Sequence, residues 1–158
     1  MIAARSLWRR TGTLPLAAIA LIWAGMIIGV SMLATPVKFS APSLTLPVAL
    51  DVGRVTFHLF ARVEWALAVA LVIAGLAAQW RLSWLSIGFV VVVIALQALW
   101  LLPALGVRTT AVISGVTPPP SALHTWYVAA EAAKILTLIT IGIGAMRRGA
   151  KPTGARSS

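Results

Sequence analysis

Cysteine is absent from the 158 residues, and acids are scarce: three Asp and Glu against thirteen Lys and Arg. Without a thiol there is no disulfide, no thiolate metal site and no cysteine nucleophile. Charged residues make up only 10% of the chain. A soluble domain carries about 25%, so a surface facing water all round is excluded. Enzyme signatures are missing as well. No phosphate loop, dinucleotide fingerprint or Gly-x-Ser-x-Gly elbow occurs, and no spacing of Ser, His and acid suggests a triad, so no enzymatic activity is expected. What the chain does have is apolar surface, at 60% hydrophobic residues. That excludes disorder and asks for a bilayer as the main partner. The length fits one domain, read as an all-α, polytopic membrane four-helix bundle over residues 1–158.

Windows free of charge locate the spans, since about 20 apolar residues cross a hydrocarbon core of about 30 Å. Uncharged stretches between Arg10 and Lys38 and between Arg81 and Arg108 predict helices at about 14–34 and 84–104. Two less pure stretches, carrying ionisable residues in their first halves, predict helices at about 55–78 and 123–146. Pro47 suits a first helical turn and can start the second helix early. The third can run kinked past Pro103 towards Gly115. Ser121 is a candidate N-cap for the fourth. The first span follows a basic stretch, but its apolar run is longer than a signal peptide's and no clean small-x-small site follows. It is read as an uncleaved helix.

The excess of positive charge does not point to nucleic acid, because no groove-reading or base-stacking module accompanies it. Arg5, Arg9, Arg10, Arg147, Arg148, Lys151 and Arg156 flank the first and last spans, and Arg81 lies in the short middle turn. The opposite loops hold Lys38, Arg54 and Arg108 with Asp51. The more basic side marks the cytoplasm, which predicts both termini inside and residues 147–158 as a basic cytoplasmic tail. Arg favoured over Lys, with abundant Ala, suggests a GC-rich bacterium and hence its inner membrane.

Function rests on the ionisable residues within spans, where each costs roughly 2.5–3.5 kcal/mol to insert. On the fourth helix His124, Tyr127, Glu131 and Lys134 fall within about 80° at 100° per residue, and Glu131 and Lys134 are spaced to pair. On the second, Arg54, His58 and Arg62 share a face, while Glu64 points about 160° away from Arg62. Glu64 and Arg62 therefore need partners elsewhere. Glu64 and Glu131 share a depth, which predicts a neutral cluster of Arg62, Glu64, Glu131 and Lys134 between helices two and four. Such a cluster can clamp the bundle, or form a small polar site for a ligand or proton open to the outer face. A third reading takes His58 and His124 as ligands of haem b or a transition metal; otherwise no cofactor is expected. Spans one and three are charge-free, whereas two and four each carry a His followed by a Glu, a pattern a duplicated hairpin would leave.

Gly25 and Gly29 form a Gly-x-x-x-Gly pair, which lets helices approach closely. They serve either packing within the bundle or homodimerisation, and a larger membrane complex is a further possible partner. Ala70, Ala74 and Ala78 make a similar stripe. Trp8, Trp80, Trp84 and Trp126 lie near span ends, as interfacial anchors do. The stretch Gly29-Val-Ser-Met-Leu-Ala-Thr-Pro36-Val-Lys-Phe39, followed by Ala49, Gly53-Arg54, Phe57, Phe60 and Val63, resembles a bacterial domain-of-unknown-function family of small four-helix membrane proteins. That family is similar to the transmembrane-protein-205-like group of eukaryotes. The likeness covers roughly residues 20–75, with a looser one around His124. It implies the four-helix fold and no particular chemistry.

Overall fold

The computed structural model describes residues 2–150, with side chains from Gly12 onward apart from Leu82. Every regular element in it is helical. Helix α1 is α-helical over Ile2–Ile27, widens into a π-helical stretch at Ile28–Ala34 and closes on Thr35–Lys38. Helix α2 is Leu46–Ala78. Helix α3 runs over Arg81–Leu96, through a π-helical stretch at Gln97–Leu101, and on over Leu102–Ile113. Helix α4 is Leu123–Ala150. Four helical stretches are long and apolar enough to cross a membrane: Gly12–Lys38, Leu46–Ala78, Ser83–Ile113 and Leu123–Ala150. Leu14, Ile22, Leu59, Val69, Ile73, Leu85, Leu99 and Leu136 point outward from all four helices. Such an apolar coat suits lipid and not water.

The helices outrun the windows read from the sequence because charge is costly only within hydrocarbon. Pro47 sits in the first turn of α2, as its fixed φ favours. Helix α3 passes Pro103 and ends in a Schellman motif, with Val116 N–H on the Ala111 carbonyl and Gly115 N–H on Val112. Gly115 takes the positive φ of 82° that this motif needs. Arg147 and Arg148 belong to the last turn of α4 and not to a tail; residues 151–158 lie outside the described residues. The Ala122 carbonyl accepts the first bond of α4, from Trp126 N–H, so Ala122 takes the capping position expected of Ser121.

Each helix packs on its neighbours in chain order, and α1 also closes the ring against α4. Helices α2 and α4 therefore face each other across a diagonal, as do α1 and α3. At the end that holds the two-residue turn Gln79–Trp80, here the closed end, α1 packs closely on α2 and α4, while a groove of about 390 Å³ lined by Ser83, Ser86, Thr140 and Arg147 runs between α3 and α4. There a Cβ on Gly12 would lie 2.5 Å from the Ala77–Ala78 peptide, and one on Gly142 would lie 2.6 Å from Leu21. Trp80 packs over Gly144, so this expected interfacial anchor is also a wedge between helices. Leu16, Ala20, Leu71, Ala74, Ala78, Ile87, Val90, Leu138, Ile141 and Ala145 fill the core behind it. Gly25 and Gly29 take no part: a Cβ on either meets nothing within 4 Å. The expectation that they pack within the bundle is corrected. The face that carries them turns outward, and the close approaches fall to other glycines.

Candidate functional site

Two prolines shape the middle of the bundle. A proline inside a helix removes one hydrogen bond and crowds the carbonyl four residues back. In α1 the residue before Pro36, Thr35, bonds five residues back to the Val30 carbonyl; in α3 the residue before Pro103, Leu102, bonds five back to Gln97. These wider turns relieve the crowding and re-aim side chains, which is why π turns recur at functional sites. Each delivers one neutral polar residue to the same carboxylate. Ser31 donates to Glu131 Oε2 at 2.8 Å, and Gln97 donates through Nε2 to Glu131 Oε1 at 2.8 Å.

The charges meet on the bundle axis. Lys134 Nζ lies 2.7 Å from Glu131 Oε1 on its own helix and 2.5 Å from Glu64 Oε1 across the diagonal. Trp23 Nε1 also donates to Glu64 Oε1, at 3.1 Å. All four helices thus contribute to one network. Glu131 and Lys134 are fully enclosed, Gln97 is 2% exposed and Glu64 3%. Glu131 is fully engaged, with three donors on its two oxygens. Glu64 is not: both of its donors share Oε1, and Oε2 has none among the described residues. Gln97 Oε1 is buried without a donor.

Arg62 corrects the expected four-charge cluster. It is exposed and joins no ion pair among the described residues. The reason is rotational. Once Glu64 turns to the axis, a residue two positions earlier must face outward. The cluster is therefore two carboxylates around one ammonium, and it is not neutral when all three ionise.

The other candidates gather one level up, at the end formed by the loops 39–45 and 114–122. A cleft of about 140 Å³ opens there among all four helices. Arg54, His58 and His124 stand on its rim, and Lys38 reaches in from α1. Tyr127, 5% exposed, forms part of its floor and meets the Phe57 ring edge-on at a centroid distance of 5.4 Å. Tyr127 and Glu131 are one helical turn apart on the same face, so the cleft lies directly above the charge cluster. Arg54 is engaged by Asp51 at 2.6 Å. His58 and His124 line the same cleft, as the metal reading requires. Among the described residues, however, no group of three or more His, Cys, Asp or Glu converges on a point, so a metal there would need further donors from outside that set.

Reading the charges alone missed Trp23, Ser31 and Gln97, because neutral polar residues leave no mark in an apolar window. A signal did exist: Ser31 and Gln97 each stand a few residues before a proline inside a span. No family model, curated protein or solved structure matches the chain. None of these comparisons links the chain to the four-helix family.

Proposed function

We propose that this is a multi-pass protein of a bacterial inner membrane, with both termini cytoplasmic, whose central cluster holds an exchangeable proton reached from the outer face. The observation that carries this reading is the charge count. Two carboxylates share one ammonium. Among the described residues, helix α1 adds only Trp23 and Ser31, and α3 only Gln97. Fully ionised, the cluster carries one net negative charge. Burying an uncompensated charge is far costlier than taking up a proton. Glu131 is occupied by three donors, so the proton belongs on Glu64 Oε2.

Membrane placement supports access from outside. Arg81, Arg147 and Arg148 mark one interface at the closed end. A hydrocarbon thickness of about 30 Å, or about 20 helical residues, counted up α4 from Arg147 ends near Tyr127. The cluster then lies just inside the outer boundary, and the cleft stands at headgroup level. Arg62 is close enough to that boundary to extend its guanidinium to it. The reading assigns no catalysis.

Infrared spectroscopy of the protein in lipid tests the charge count. At neutral pH the wild type shows the carbonyl stretch of a protonated carboxylic acid, shifted in D2O. Glu64→Gln and Glu131→Gln both abolish it, because either leaves one carboxylate for one ammonium. A wild type without the band overturns the reading. A cysteine at position 45 or 115 is expected to react with an impermeant reagent from the outer side; reaction only from the cytoplasmic side inverts the topology.

A further inference from the structure

We infer that the cleft at the open end binds a small amphipathic anion, a benzene-sized apolar body bearing one carboxylate or similar acidic group. The inference is independent of the proton reading, since it uses none of Glu64, Glu131 or Lys134. Size comes first. A cavity of about 150 Å³ walled by Leu, Ile and Phe accepts benzene, and this cleft measures about 140 Å³ with Phe57, Leu102 and Leu105 on its walls.

Charge comes second. Lys38, Arg54, His58 and His124 surround the opening, and the nearby acid, Asp51, is taken by Arg54. Lys38 has no carboxylate partner among the described residues. A lysine at a helix end ordinarily extends its ammonium into water. Here the side chain folds inward over Gly53, a buried glycine where a Cβ would collide with the Lys38 ammonium. The same ammonium lies 5.1 Å from the centroid of the Phe39 ring. The missing side chain at Gly53 makes room for a cation beside an apolar cavity, and what that cation lacks is an anion.

Calorimetric titration of the purified protein, in nanodiscs of zwitterionic lipid, tests this with three probes. Benzoate carries both features, benzyl alcohol only the apolar body and acetate only the charge. Benzoate is expected to bind more tightly than either by about tenfold or more, the scale of one charge-assisted hydrogen bond. Lys38→Gln removes the advantage over benzyl alcohol. Leu105→Trp, which fills the cleft without altering charge, abolishes binding of both aromatic probes. Arg62→Gln, outside the cleft, keeps the benzoate preference. Repeating the titration with an anionic phospholipid identifies the source of the anion: undiminished benzoate binding assigns a soluble ligand, and competitive loss assigns a lipid headgroup. Equal affinity for benzoate and benzyl alcohol overturns the inference, and so does a benzoate preference that survives Lys38→Gln.

Discussion

The two ends of this bundle are built on opposite terms. At the closed end glycines disappear under their neighbours: Gly12 beneath the Ala77–Ala78 peptide, Gly142 beneath Leu21 and Gly144 beneath Trp80. At the open end Gly106 and Gly115 face open space, and Gly53 yields its volume to a lysine. The closed end buries the hydroxyls of Thr13 and Ser83 but no charged side chain, whereas the open end gathers cations and histidines around a cleft. The charge cluster lies at the boundary between them. Small residues in membrane bundles allow close helix approach, but position in the fold decides whether they are used for it.

Five substitutions sharpen or break this contrast. The largest effect is expected at the boundary. Lys134→Met leaves the buried Glu131 carboxylate without its cation, and breaking a buried pair costs about 3–5 kcal/mol. Thermal unfolding in mild detergent should show that loss, and adding Glu131→Gln should recover part of it. Unchanged stability in Lys134→Met would mean that the three groups are not coupled. Next is Gly12→Ala at the closed end, which has peptide backbone and no flexible side chain to push aside. Overpacking costs about 1–3 kcal/mol, read as a fall in the same unfolding midpoint. An unaffected midpoint would deny the close packing there.

Smaller effects are expected from the two helpers of Glu131. Hydrogen bonds between membrane helices average about 0.6 kcal/mol and reach about 1.7. Ser31→Ala should lose an amount in that range, measured by the same melt. Gln97→Leu should lose less than a full bond, since it also removes the undonated Oε1. The smallest effect is expected for Gly25→Ala, whose new methyl meets nothing in the bundle, so stability should stay within about 0.5 kcal/mol. A change in particle size for that variant by light scattering would show that the outward glycine face contacts a second chain.

The number of helices and their order along the chain could be read from charge-free windows, because hydrocarbon penalises charge so heavily. Their ends were legible only where a proline or glycine marked them, as Pro47 marks the start of α2 and Gly115 the end of α3, since outside hydrocarbon nothing else distinguishes a continuing helix from a loop. Glu131 and Lys134 could be paired from their spacing alone, and Glu64 was known to need a partner on another helix. The place of Arg62 was misjudged by requiring neutrality within the cluster. Its own helical angle relative to Glu64 already turned it away. Ser31 and Gln97 were invisible to any count of charges. Finding them required knowing that Pro36 and Pro103 widen the turns that precede them, which is a property of backbone geometry and not of composition.

The diagonal placement of α2 and α4 has a mechanical consequence. Four rods joined side to side form a frame whose square cross-section can shear into a rhombus without parting any neighbours. A brace across one diagonal removes that freedom. The Lys134–Glu64 ion pair is such a brace, and Ser31 and Gln97 tie the other two rods to its α4 end through Glu131. Neither diagonal pair of helices packs extensively of its own accord. At this level, directly below the opening, the diagonal of the bundle is therefore held by one lysine.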